Sequence, residues 1–258
     1  MKVSAIWQSE WKEMPGAVNS VVDDAANRID AGGPIDIFFR ADDVAVPGAA
    51  FERMMDLFTT YRTPLALAVV PAWLTTDRWA YLVKWSGNDN LWCWHQHGWR
   101  HKNHERAGKR SEFGAERRRS DIIQDLEKGR YRLENLMGSA FCPVFTPPWN
   151  RCDRRTLYAL RETGCRAVSL DVGSLQPVPA ELNVIPVHVD LHTRKETDAE
   201  QGRRHLMAEL RSALAGGTCG IMIHHQRMND AAFRFLEQLL RVVSDHHRFR
   251  AGRFEDHF

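Results

Sequence analysis

The chain has 258 residues, 43% of them hydrophobic, and 35 Lys and Arg against 33 Asp and Glu leave a net charge of +2. That length suits one large domain with a sizeable core, and the balanced charge gives no global argument for nucleic acid or an acidic membrane surface as partner. Five cysteines without Cys-x-x-Cys spacing fit free thiols in a reducing compartment; with no apolar signal core at Met1–Met14 and no stretch fit to span a bilayer, the expected location is the cytoplasm.

Apolar residues at three- and four-residue spacing (Val18, Val21, Val22, Ala25, Ala26, Ile29) predict an opening helix over 15–31, stopped by Gly32-Gly33-Pro34. A strand follows from Ile35 to Arg40, ending in the adjacent carboxylates Asp42 and Asp43. Such a pair also reads as a turn or helix cap, but at the end of a strand, where the chain turns, both side chains can face one cavity. Pro47-Gly48 opens a helix whose apolar side is Phe51, Met54, Met55 and Phe58. The apolar run between Pro64 and Pro71 reads as a buried parallel strand. A helix around Trp79, Leu82 and Val83 precedes a strand over 91–94.

The stretch from Trp92 to His104 holds four of the twelve histidines. His97 and His101 stand four apart, so one helical turn would carry both imidazoles on one side, within reach of one metal ion. The same spacing is also met in tight turns with satisfied histidines. Residues 98–114 are polar and irregular. The arginines from Arg100 to Arg119 could bind phosphate, but Glu105, Glu112 and Glu116 interleave with them, as on a solvated face.

A long helix with Ile122, Ile123, Leu126, Leu133 and Leu136 ends at Gly138. A strand from Phe141 to Phe145 ends in Thr146-Pro147-Pro148-Trp149-Asn150-Arg151, where two prolines and a tryptophan build a rigid wall. Asp153 caps a helix closed by Gly164, and a strand from Cys165 to Leu170 ends at Asp171. A loop from Leu175 to Ala180, a strand from Val184 to Val189 and a helix from Thr197 to Leu214 follow. The seventh strand, from Cys219, ends at the doublet His224-His225, and a final helix precedes a charged tail.

Seven strands alternating with helices argue for α/β architecture, a parallel barrel or an open parallel sheet. Asp42, Asp43, His97, the Pro-Pro-Trp wall, Asp171 and His224 all fall at C-terminal strand ends, where such folds assemble active sites. One Asp with two His makes the facial set that a catalytic divalent ion uses, leaving the second Asp as a base.

In this order the motifs resemble those of the polysaccharide deacetylase family, carbohydrate esterase family 4, over nearly the whole chain. The resemblance implies a distorted seven-stranded (β/α) barrel in a single domain, with a helical extension over 1–34, the barrel over 35–246 and a tail over 247–258. It makes Asp42 the catalytic base and Asp43, His97 and His101 the metal ligands. Met222-Ile223-His224 matches the last motif and makes His224 the general acid. Thr146 stands in place of the family arginine, a role open to Arg151 or Arg40; Gly98 stands where Ser or Thr is usual, and Asp171 lacks its usual neighbours. His95, Asn103 and His104 have no counterpart in the motif and read as a hydrogen-bonded loop.

The chemistry implied is metal-assisted hydrolysis of an amide C–N bond, with deacetylation of an N-acetylated sugar or related small amide expected. Zinc is the default ion, with cobalt, nickel, manganese and iron also suited. Pro148, Trp149 and Trp99 are the expected substrate wall. The partners expected are a small-molecule or oligosaccharide substrate and a second copy of the chain, not nucleic acid or membrane. The alternatives are an allantoinase-like hydrolase of a non-sugar amide and an inactive binding module that keeps the pocket.

Overall fold

The computed structural model describes residues 2–28, 33–85, 90–174 and 176–257. Ile29, Gly32 and Leu175, invoked above, lie outside the described residues. Helices and strands alternate along the chain, and every pairing of β1 with β8 and β9, β7 with β8, β3 with β4, β4 with β5 and β5 with β6 is parallel. The fold class is α/β of the (β/α)-barrel kind, with nine strands among the described residues where seven were expected.

The chain divides into two compact units. The first comprises Met1–Ala41, Gly48–Leu65 and His188–Arg253. Its strands run in the order β9 (Phe249–Ala251), β1 (Ile35–Val44), β8 (Thr218–Ile223) and β7 (Val189–Asp190). Helices α1 (Met14–Arg28), α2 (Ala49–Thr60), α6 (Ala199–Ala215) and α7 (Asp230–Asp245) belong to it. The expected apolar side of α2, Phe51, Met54, Met55 and Phe58, is buried as a set.

The expected helical extension before β1 packs into this unit: Ile6 and Trp7 are buried, and the Trp7 ring lies 5.1 Å from Phe235. Arg203 donates to the carbonyls of Ile6 and Ser9, which fastens the segment to α6. The stretch 247–258 is not only the charged tail expected. It forms β9, whose Arg250 pairs with Asp36 of β1, and a helical turn over Phe254–His257. Both β7 and β9 are too short for their apolar pattern to register; the backbone hydrogen bonds of a neighbouring strand define them.

The second unit comprises Asp42–Pro47, Ala66–Val187 and Phe254–Phe258. Its strands run in the order β6 (Asn183–Val187), β5 (Ala167–Asp171), β4 (Phe141–Thr146), β3 (Trp92–His97) and β2 (Leu65–Val69). Helices α3 (Thr76–Leu82), α4 (Arg119–Met137) and α5 (Arg154–Glu162) belong to it. Ile122, Leu126, Phe145, Leu157, Leu160 and Leu170 form its apolar core. Asp153 caps α5 as expected, accepting from the Thr156 N–H at 2.9 Å. α4 is followed by Gly138, whose positive φ of 55° glycine adopts without a Cβ clash.

Candidate metal centre

Asp42 and Asp43 lie in β1 just before its last residue, Val44, and they do not behave alike. Asp42 is buried, while Asp43 adopts a φ of 61°, a conformation costing a non-glycine residue about 1–2 kcal/mol. That reversal of the chain turns the Asp43 carboxylate toward the end of β3. There its Oδ1 lies 3.4 Å from His97 Nε2 and 3.2 Å from His101 Nε2. One ligand atom from each of Asp43, His97 and His101 falls within 4.8 Å of the others.

His97 is the last residue of β3 and is buried. Its Nδ1 is 2.9 Å from the carbonyl oxygen of Thr146. A carbonyl only accepts, so Nδ1 carries a hydrogen, and in the neutral imidazole the lone pair of Nε2 faces Asp43. Thr146 serves a second time through its hydroxyl, 2.9 Å from His95 Nε2. His95 therefore lies in a strand, hydrogen-bonded and buried, and not in the loop expected for it.

His101 reaches the site without a helix, contrary to the helical turn expected from its spacing. The chain leaves β3 through Gly98 at φ 63° and brings His101 in at φ 57°. The organiser is Glu112, 1% exposed, whose carboxylate accepts from the backbone N–H groups of Trp99, Arg100 and His101 at 3.2, 2.7 and 3.1 Å. Glu112 was expected on a solvated face; it is a buried anchor. Burial raises its pKa most; the N–H groups of Arg100 and Trp99, the charge of His97 and the N–H of Lys102 act against that, and the net shift is upward. A Cβ at Gly98 would come within 2.2 Å of Glu112 Oε2 and 2.6 Å of Pro148, so the missing hydroxyl residue makes room for the anchor. Asn103 turns the same loop by accepting from Glu105 and Ser111.

The imidazoles differ electrostatically. For His97 burial is the largest influence and lowers its pKa. In the imidazolium Nε2 also carries a hydrogen; its hydrogen bond to Asp43, the charges of Asp42 and Asp43 and the Thr146 carbonyl together outweigh burial, and the pKa rises. For His101 burial, reinforced by the charge of His97, prevails and lowers the pKa to about 4. The donor set of one carboxylate and two imidazoles with converging lone pairs fits a divalent transition-metal ion.

Two tryptophans border His101. Trp149 lies with its ring 4.4 Å away and Trp73 5.8 Å away. Trp149 and Asn150, with φ of 58° and 55°, form a strained turn after Pro147-Pro148 that aims the indole at the histidine. Trp73 escaped notice in the sequence; its signal is Pro71-Ala72-Trp73 at the end of β2. Trp99 instead packs against the core cluster of its unit. Arg151 donates to the Arg110 carbonyl at 3.2 Å, and Arg40 is fully buried with Nη2 3.0 Å from Met222 Sδ. Among the loop arginines, Arg117 pairs with Asp125 at 2.7 Å and Arg119 with Glu162.

In the first unit, His224 and His225 follow β8 and differ in surroundings. His225 is buried with its ring 5.7 Å from Phe51, while His224 is partly exposed. The His224 N–H donates to Nδ1 of His192 at 3.1 Å. His192 was not singled out in the sequence. It lies fully buried in a turn held by Asp190, which accepts from the N–H groups of His192 and Thr193.

No family model matches the sequence, and no curated protein matches it either. Solved structures do match. A presumed polysaccharide deacetylase from Mycobacterium smegmatis superposes with a TM-score of 0.64 at 14% identity, over 87% of this chain and 89% of that one. A family 4 carbohydrate esterase from Streptomyces lividans in complex with acetate gives 0.52 at 8%, over 86% and 92%. A family 4 pseudoenzyme from Bacillus anthracis gives 0.55 at 9%, over 88% and 66%. At these identities the likeness establishes the fold, which is the one expected from the motifs.

Proposed function

We propose that this chain, which has the polysaccharide deacetylase fold, is a divalent-metal-dependent hydrolase that removes an acetyl group from an N-acetylated sugar or a related small amide. The observation that carries the reading is the convergence of Asp43 Oδ1 on the Nε2 atoms of His97 and His101, with Asp42 buried beside it in sequence. An ion held by those three residues, zinc by default, would supply Lewis acidity to the amide carbonyl and acidify water.

The chain's own groups do the rest. Asp42 takes the proton of the attacking water. His224 is assigned as the acid that protonates the departing nitrogen, which an amine leaving group needs because its anion is too basic to leave unaided. That assignment rests on the motif Met222-Ile223-His224 and on the greater exposure of His224 relative to His225. Trp73 and Trp149, with Pro148, are proposed to shape the pocket for a sugar ring or acyl group. Five cysteines with no disulfide among the described residues support the cytoplasm as the working compartment, and among those residues no helix is long and apolar enough to cross a membrane.

The test uses zinc- or cobalt-loaded protein against N-acetylated sugars and small linear and cyclic amides. Asp43→Ala and His97→Ala are expected to lose this ion and all turnover. Asp42→Asn is expected to keep the ion and lose at least about 100-fold in rate. Metal retained without hydrolysis of any amide would favour an inactive binding module; the Bacillus anthracis neighbour is a pseudoenzyme.

A further inference from the structure

A second cluster of metal-ligating side chains lies at the other end of β3. Trp94 and Gln96 turn outward, Trp94 against Trp79 at 5.1 Å and Gln96 onto the Leu126 carbonyl of α4 at 3.2 Å. By strand alternation Cys93, His95 and His97 share the opposite face. Cys142 of β4 is the register partner of His95 and joins that face. The turn over Phe254–His257 closes over it: the Phe254 ring lies 5.4 Å from His95, and Cys142 Sγ is 2.8 Å from Glu255 Oε1.

We propose that Cys93, Cys142 and Glu255 bind a thiophilic divalent cation, zinc foremost, at a site distinct from the Asp43 centre. One ligand atom of each lies within 4.8 Å of the others. Zinc with Zn–S near 2.3 Å and Zn–O near 2.0–2.2 Å holds tetrahedral ligands about 3.5–4 Å apart, so small side-chain movements close the site. Cys93 and Cys142 are 2% and 8% exposed. Glu255 Oε2 is buried with no hydrogen-bond partner among the described residues. A carboxylate oxygen so placed needs a cation or a donor, and two converging thiols beside it supply the soft ligands that select zinc over magnesium or calcium. Binding releases the two thiol protons to solvent, and the thiolates and the carboxylate hold the ion.

The four residues from Cys93 to His97 put the two sites roughly 13 Å apart along β3, so no ligand is shared. An ion there would tie the turn over Phe254–His257 to β3 and β4, a structural role.

The experiment is titration of reduced, metal-free protein with zinc and, separately, with cobalt. Wild type is expected to bind about two equivalents, and both Asp43→Ala and Cys142→Ser about one. The thiolate-to-cobalt charge-transfer band should persist in Asp43→Ala and vanish in Cys142→Ser. Glu255→Gln, in a peripheral turn that leaves both thiols in place, should weaken the zinc that protects Cys93 and Cys142 from alkylation by at least about tenfold. Absence of a thiolate band in wild type, or full alkylation of both cysteines under saturating zinc, would overturn the proposal. So would a Cys93–Cys142 disulfide that forms in preference to zinc binding under mild reductant. None of these readouts depends on amide hydrolysis.

Discussion

His97 gives its Nδ1 hydrogen to the backbone carbonyl of Thr146 across the β3–β4 pairing, at 2.9 Å. The register that matches His97 to Thr146 thus fixes the tautomer of a proposed metal ligand. The same threonine holds His95 through its hydroxyl. A position that departs from the family pattern is therefore tied to the site through both its backbone and its side chain.

Thr146→Val separates those two functions. The carbonyl stays and the hydroxyl is lost, so His95 gives up a buried hydrogen bond. The expected cost is about 1–3 kcal/mol in urea unfolding, with metal stoichiometry unchanged. A variant of full stability would show the hydroxyl to be dispensable.

Gly98→Ala and Gly98→Ser should both misplace the loop. Either Cβ meets Glu112 and Pro148, at a φ of 63° that side chains tolerate poorly. A loss of about 2 kcal/mol or more is expected, together with at least tenfold weaker zinc at the Asp43 centre. Wild-type affinity in Gly98→Ser would mean that the loop accommodates the hydroxyl residue usual in the family.

Glu112→Gln keeps the size but leaves only one oxygen to face three N–H donors. The expected outcome is a loss of about 1–3 kcal/mol and a rise in the metal dissociation constant through displacement of His101. Isothermal titration with zinc reads the second effect. If Glu112→Gln binds zinc as wild type does, the anchor role is wrong.

His224→Ala and His225→Ala should part company. The first is expected to lower the rate by about 10²–10⁴ with little change in stability. The second opens a cavity beside Phe51 and should lower stability while the folded fraction keeps its activity. Equal small effects on rate would remove His224 from the chemistry.

Much of this was legible in the sequence for one physical reason: apolar periodicity and strand-end placement are local. The apolar side of α2, the stop of α4 at Gly138 and the cap at Asp153 all follow from spacing and from conformations that few residues adopt. The convergence of Asp43, His97 and His101 was readable because candidate metal ligands are of certain types and fall where strands end. Only the tertiary structure decided how those ligands meet. The left-handed turns at Asp43, Gly98 and His101 carry no periodic signal, and they replace the helical turn that His-x-x-x-His spacing suggests. Glu112 looked like one more surface charge, and Cys93, Cys142 and Glu255 are scattered along the chain. A carboxylate becomes an anchor, and distant side chains become a cluster, only when folding removes water and brings donors from other elements to them; neither event is written in the neighbouring residues.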